Sequence, residues 1–306
     1  MSTVLITGGT GLIGKHLSHL LVQKGYNVII LTRNIPQQNH PAISYAKWNI
    51  SDNTIDKDAI AKADYIIHLA GAGVADERWT DNRKQEIIDS RVKSSELIIK
   101  TLKKNAHHVK AILSASAIGW YGPDNNQTLK TGFTEDALPV DDFLGKTCRL
   151  WEESIQPVES LGIRLVKLRT GIVLSKEGGA FTEFKKPIKF GIAGIIDGGE
   201  QVVSWIHIED ICRMYWYALQ NEQIQGVYNA VAPNPLTNKA LTLEIAKQCR
   251  GKLFIPVHVP SFVIKLMLGE MSIEVLKSVT VNASKIKSTG FQFMYPTIEA
   301  AVKELV

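Results

Sequence analysis

Along the first half of the chain, short runs of Ile, Val and Leu take turns with longer stretches in which apolar residues recur every three or four positions. "TVLIT" (3 to 7) runs into glycines and then into "LIGKHLSHLLVQKG", where Leu12, Ile13, Leu17, Leu20 and Leu21 share one helical face. A strand, a tight turn and an amphipathic helix are predicted. "YNVIILT" (26 to 32), "ISYAKW" (43 to 48), "YIIHLA" (65 to 70), "VKAILSAS" (109 to 116) and "IRLVKL" (163 to 168) predict further strands. They show little alternation, which is how strands covered on both faces read. A long helix is predicted over 80 to 105, capped by Thr80 or Asp81 and ended by Asn105. Strands alternating with helices imply an α/β fold, a Rossmann-like doubly wound parallel sheet. After residue 171 the order loosens, and from about Pro233 short helices and turns dominate. The expected organisation is a nucleotide-binding domain over 1–171, to which parts of 202–231 return. A smaller, mostly C-terminal α+β domain is expected from 172–201 and 232–306.

Composition changes this picture little. Apolar residues make up 45% of the 306 and charged residues 21%, with no low-complexity tract. The net charge of +5 comes from lysines scattered over predicted helices, such as Lys100, Lys103 and Lys104, so no nucleic-acid partner is expected. Cys148, Cys212 and Cys249 are far apart and odd in number, which suits a reducing compartment. No apolar run is long enough to span a bilayer, and "MSTVLITGG" lacks the basic start of a signal peptide, so a cytoplasmic protein without a membrane partner is expected. The expected state is a monomer or homodimer acting on a small molecule.

Chemistry enters with "TGGTGLIG" (7 to 14), where Gly8, Gly11 and Gly14 follow a strand and open a helix. The first glycine permits the turn, the second admits a pyrophosphate to the backbone, and the third lets helix and strand pack closely. The amides of Leu12 and Ile13 then lie at a helix N-terminus suited to phosphate. At the end of the next strand, where an acid would hold the ribose of NAD, stand Thr32 and Arg33, and no acid follows until Asp52. Arg33 there favours the 2′-phosphate of NADP(H).

"TGGTGLIG", "HLAGAG" (68 to 73), "LSAS" and "LRTGIVL" resemble an extended short-chain dehydrogenase/reductase. "GAGVADERWTDNRKQEIIDSRV" (71 to 92), "PVDDFLGKTCRLWEE", "SWIHIEDI" and "LGEMSIEVLKSVTVNASKIKSTGFQFMYP" narrow the resemblance to its atypical epimerase-like YfcH-type branch, over essentially the whole chain. The resemblance implies bound NADP(H) and a small C-terminal domain closing over a substrate. It places the adenine-ribose pair on Thr32 and Arg33, the loop over the cofactor on Leu69, Ala70 and Gly71, and nicotinamide-side contacts on Glu86, Arg91 and Val173. One departure is Asn49 after Trp48, where the branch usually carries an acid.

Active members of the wider superfamily use a Tyr-x-x-x-Lys pair, and "DDFLGKTCRLWEE" (141 to 153) contains no tyrosine. Depending on register, Phe143 and Thr147 or Leu144 and Cys148 fill the two positions, with Lys146 out of step. Ser116, or else Ser114, fits the hydroxyl that bonds a reacting oxygen. Tyr121, Glu135, Asp141, Asp142, Cys148 and His207 could supply a proton, with Ser116 and Tyr121 the chosen catalytic candidates; Tyr121 would need a cation beside it, and His207 reads as structural. Trp79, Trp120 and Trp205 could line a pocket or fill core. Two readings follow: an NADP(H)-dependent oxidoreductase or epimerase-like enzyme, or a non-catalytic NADP(H)-binding sensor.

Overall fold

The computed structural model describes residues 1–36 and 41–306. β1 (Thr3–Thr7), α1 (Leu12–Gln23) and β2 (Asn27–Thr32) form a parallel βαβ unit. β3 (Ile43–Asn49) continues the sheet, and the short β4 (Thr54–Ile55) turns back antiparallel on it. α2 (Lys57–Lys62), capped by the Asp56 carboxylate, leads to β5 (Tyr65–His68) on the other side of β1. α3 (Asp81–Lys104) starts at Thr80, whose hydroxyl accepts the Arg83 N–H, and ends at Asn105 as expected. β6 (Ala111–Ala117), the brief α4 (Thr128–Thr131), α5 (Phe143–Ile155) and β7 (Arg164–Thr170) follow.

The chain then leaves the sheet through β8 (Ile172–Leu174), α6 (Ala180–Ile188), β9 (Ile192–Ile196), β10 (Val202–Val203) and β11 (Trp205–His207). α7 (Ile208–Gln220) comes back to pack on α1, and β12 (Gly226–Ala230) pairs with β7. β13 (Leu236–Thr237), α8 (Asn238–Arg250), β14 (Ile255–Val259), α9 (Ser261–Leu268), α10 (Ser272–Leu276), α11 (Ser284–Ser288) and α12 (Ile298–Leu305) complete it.

The main sheet has eight strands in the order β12-β7-β6-β5-β1-β2-β3-β4, all parallel except β4. Period-2 geometry divides its side chains between two cores. Val4 and Ile6 join Leu17, Leu21, Ile211 and Met214 beneath α1 and α7, while Leu5 joins Ile66, Leu97, Ile98 and Ile112 beneath α3. This double cover explains the unbroken apolar strands in the sequence. A third core is built on Phe181, Trp205, Leu241, Ile245 and Val302.

The C-terminal part departs from expectation at one segment. Val279, Val281, Ala283, Ile286 and Phe291 pack into the core beneath α1 and α7, although all of 232–306 was expected in the smaller unit. α11 lies against β12, the edge strand, and covers apolar surface that would otherwise meet water. Because the chain crosses between the cores several times, the two units should unfold together. Leu241→Ala, in the smaller core, should cost about 2–5 kcal/mol and shift fluorescence and circular-dichroism transitions in urea equally. Separated transitions would show independent units.

Candidate functional site

In a parallel sheet the C-terminal strand ends share one edge, and here that edge gathers Thr7, Thr32, His68, Ser116 and Thr170. The glycine turn after β1 is held by its own packing. Gly8 sits at φ +70°, and a Cβ there would meet the Leu69 carbonyl at 2.8 Å. A Cβ on Gly14 would lie 2.3 Å from the Gly8 oxygen, so α1 can start this close to β1 only with hydrogen at that place. Gly11 differs: its missing Cβ would meet nothing nearer than the Gly8 oxygen at 3.3 Å, and the residue is exposed. It caps α1 with no side-chain hydrogen bond and no acid in the first turn. The positive end of the helix, at Leu12 and Ile13, is thus left for an anion from outside.

Thr32 closes the end of β2 by donating its hydroxyl to the Asn34 carbonyl (3.0 Å) and accepting the Asn34 N–H (3.3 Å). Arg33 beside it is exposed, and among the described residues no carboxylate pairs with it.

β5 is joined to this turn by a buried relay. Thr7 Oγ1 accepts the N–H groups of both Leu69 and Ala70 at 3.2 Å and lies 2.7 Å from His68 Nδ1. His68 Nε2 faces Ser95 Oγ at 3.1 Å and Ser94 Oγ at 3.3 Å, and both serines donate to the Arg91 carbonyl at 2.9 Å. Only one assignment satisfies all of these: Thr7 donates to Nδ1, and Nε2 carries the hydrogen. Complete burial, with Arg91 nearby, holds the imidazole neutral and its pKa down to about 3.

The α3 residues play unequal parts. Arg91 is buried, donates to the carbonyls of Ala72 (3.0 Å) and Ile87 (2.9 Å), and lies over the Trp151 ring. Its guanidinium also stands where a Gly71 side chain would go, 2.9 Å from that Cβ position, so it braces the loop behind β5. Glu86 is exposed and paired with Arg83 at 2.7 Å, and Arg83 also donates to the Gly73 carbonyl. Val173, in β8, is half-buried and packs with Leu12 against the same core.

Both hydroxyls chosen as catalytic candidates are turned into the protein. Ser116 is buried and donates to Glu152 Oε1 at 2.7 Å. Glu152 is paired in turn with Arg169 at 2.8 Å and Lys167 at 3.6 Å. Tyr121 is wholly buried, stacked on Phe133, and donates to Asn229 Oδ1 at 2.6 Å. The cation it needs is present, since Arg169 Nη1 donates to its oxygen at 3.1 Å. Burial outweighs that cation and pushes the phenol up to about 12. A phenol so placed is no base at neutral pH.

Most of the other candidates are also committed. Thr147 donates to the Phe143 carbonyl, and the buried Cys148 thiol is pushed up to about 12 by desolvation and by Glu152. Lys146 and Asp141 are exposed, Asp142 caps α5, and a Glu135 oxygen accepts the Asn229 N–H. Completely buried His207 caps α7 through Nδ1 and bonds Glu304 through Nε2 at 3.0 Å, as a structural histidine does. Trp205 is core and Trp120 lies under the Arg169 guanidinium, whereas Trp79 stays part-exposed, its ring 4.7 Å from Phe143. Glu152, Arg169 and Asn229 were missed by sequence reasoning. The signal was Lys167 and Arg169 at two-residue spacing in an otherwise apolar strand, which marks a buried cationic face needing an acid.

Residues 4–141 match the model of the NAD dependent epimerase/dehydratase family, and residues 259–305 match a domain of unknown function, DUF1731. Epimerase family protein YfhF of Bacillus subtilis (strain 168) is 36% identical over 304 residues, covering 99% of this chain and 97% of that protein. The chain belongs to the epimerase family, within the atypical extended short-chain dehydrogenases/reductases. A crystal structure of human epimerase family protein SDR39U1 (isoform 2) with NADPH is 29% identical, with a TM-score of 0.86 over 99% of this chain and 98% of that one. A nucleoside-diphosphate sugar epimerase from Corynebacterium glutamicum is 30% identical, with a TM-score of 0.77 over 98% of this chain and 57% of that one. Family membership thus accompanies an edge with an open glycine turn and no tyrosine base. Among the described residues no helix is long and apolar enough to cross a membrane, and no His, Cys, Asp and Glu group could hold a metal ion.

The relay has a pH signature. With His68 held at about 3 when folded and near 6.5 when unfolded, the unfolded chain takes up a proton between those values, so stability falls as pH drops through that window. Urea unfolding from pH 7 to pH 4 should show this group contributing a slope of about 1.4 kcal/mol per pH unit. His68→Asn should flatten the profile; an unchanged slope would refute the buried neutral imidazole.

Glu152→Ala should cost about 3–5 kcal/mol, because it leaves Arg169 buried beside an unpaired lysine. A change below 1 kcal/mol, on the order of a surface pair, would show the cluster to be hydrated.

Proposed function

We propose that this protein is an NADP(H)-dependent oxidoreductase or epimerase-like enzyme whose cofactor lies along the sheet edge from the Gly8–Gly14 turn to Ala70. The observation that carries the reading is Gly11, an exposed helix start without a side-chain cap, where a Cβ would meet only the Gly8 oxygen at 3.3 Å. A pyrophosphate fits that chemistry. Thr32 and Arg33 would hold the adenosine ribose and its 2′-phosphate, and the Leu69, Ala70 and Gly71 loop, braced by Arg91, would pass over the cofactor. Glu86 and Val173 stand as its nicotinamide-side neighbours. The NADPH in the human relative's structure supports this choice.

When bound, the nicotinamide supplies or accepts the hydride. The chain's own residues bind and orient, and the proton is exchanged with water, since Ser116 and Tyr121 are engaged with Glu152 and Asn229. The cleft between the larger unit (1–171, with parts of 202–231) and the smaller one would take a small-molecule substrate, in a cytoplasmic monomer or homodimer. A second reading, a sensor that holds the nucleotide without consuming it, is favoured by those same two buried hydroxyls.

Fluorescence titration should give tighter binding of NADPH than of NADH, and Arg33→Ala should weaken NADPH by about tenfold or more while leaving NADH unchanged. Equal affinities in the unsubstituted protein would remove the phosphate assignment. Gly11→Val should abolish NADPH binding while the protein stays folded, whereas Gly14→Ala should lower the melting temperature further through its closer clash with the Gly8 oxygen. Normal NADPH binding by Gly11→Val would mean that the turn holds no pyrophosphate.

A further inference from the structure

α3 and α5 each leave the C-terminal end of one strand and return to the start of the next, so both helices begin at the ligand edge. Trp79 and Phe143 stand at those two helix starts. Their rings meet edge to face, 4.7 Å between centroids at 69°, and both remain part-exposed. The C-terminal end of α9 and the residues after it reach the same place: Arg78 donates to the carbonyls of Leu266 (2.7 Å) and Met267 (2.9 Å), and Lys84 donates to Glu270 at 2.6 Å. The aromatic pair thus lies beside the residues that tie the start of α3 to the end of α9. Leu138, Leu266 and Met267, in the segments that border it, are 86%, 75% and 61% exposed.

Most cations at this place already have partners. Arg78 is taken by the end of α9, Arg83 by Glu86 and the Gly73 carbonyl, and Lys84 by Glu270. Lys277 is only 8% exposed and held by Glu274 at 2.8 Å and Asp142 at 3.7 Å. Exposed charge nearby is more acidic than basic, with Asp76, Glu77, Asp141 and Glu270 set against Arg78 and Lys146. A diphosphate brought here would meet more carboxylates than cations.

We propose that the substrate is an uncharged carbonyl compound with an aromatic or branched aliphatic body, seated against Trp79 and Phe143, and not a nucleoside-diphosphate sugar. The proposal rests on the reading of this edge as a nicotinamide site. The aromatic pair offers flat apolar area at low cost in side-chain entropy, while the surplus of exposed carboxylates around it disfavours anions.

The test uses the full chain saturated with NADPH and two probes, 2-acetylnaphthalene and UDP-glucose, followed by saturation-transfer NMR and calorimetry. The ketone should bind saturably, and Trp79→Ala should weaken it by about tenfold or more. Phe143→Leu should weaken it in the same direction and serves if Trp79→Ala fails to fold. UDP-glucose at about 1 mM should show no saturable binding. Binding of UDP-glucose, absence of ketone binding, or a ketone affinity indifferent to both substitutions would each overturn the substrate class. NADPH affinity, measured first on the unsubstituted protein, reports separately on the parent reading. If NADPH does not bind, that reading fails, and the ketone titration on the free protein still decides whether the aromatic wall takes an apolar ligand.

Discussion

The hydroxyl of Thr7 carries three hydrogen bonds at the point where β1 and β5 end together. It accepts from the amides of Leu69 and Ala70 and donates to His68, which passes the connection to Ser95 and so to the Arg91 turn of α3. The glycine turn, the loop after β5 and the long helix are thereby locked to one another. Gly8 then fits against the Leu69 carbonyl only because it has no side chain. An imidazole is a good centre for such a relay, since it accepts on one nitrogen and donates on the other, and burial keeps it in the one charge state that can do both.

Polar groups in this fold are sorted by what the interior requires of them. Glu152 sits deep between α5 and the strands and neutralises Arg169 while holding Ser116. Arg169 also lies 3.7 Å over the Trp120 ring and donates to Tyr121, so cation, rings and carboxylate form one buried unit. Such clusters are stable only when complete, because one missing partner leaves a charge in a medium that solvates it poorly. The residues that look most like acid-base groups in the sequence are therefore bracing for β6 and β7. At the C-terminal edge of the strands α5 begins with Phe143 and Leu144, and neither register supplies a phenol. An edge built this way favours binding and orientation by shape.

The sheet and its helices were legible because their causes are local. Strands covered on both faces must be apolar throughout, and α1 and α3 carry their apolar spacing and the Thr80 cap within a few residues. Gly8, Gly11 and Gly14 were legible for the same reason, as was Arg33 at the end of β2. The reading was weakest where residues far apart meet. Asn229, which fixes Tyr121, lies 108 positions away from it, and Glu152 meets Ser116 across 36. The segment 279–291 gave no sign that it would return to the large core.

From the sequence alone come the parallel sheet, the glycine turn that opens α1, the absence of an acid at the end of β2 and the lack of the tyrosine-lysine pair. These depend on residue type and on spacings of a few positions, which a single chain displays directly. Only the tertiary structure decided that Tyr121 has its cation and is still held protonated by burial, that Ser116 donates to Glu152, and that Trp79 and Phe143 meet edge to face. Burial sets a hydroxyl's pKa and the partner it keeps, and burial is a property of the assembled fold.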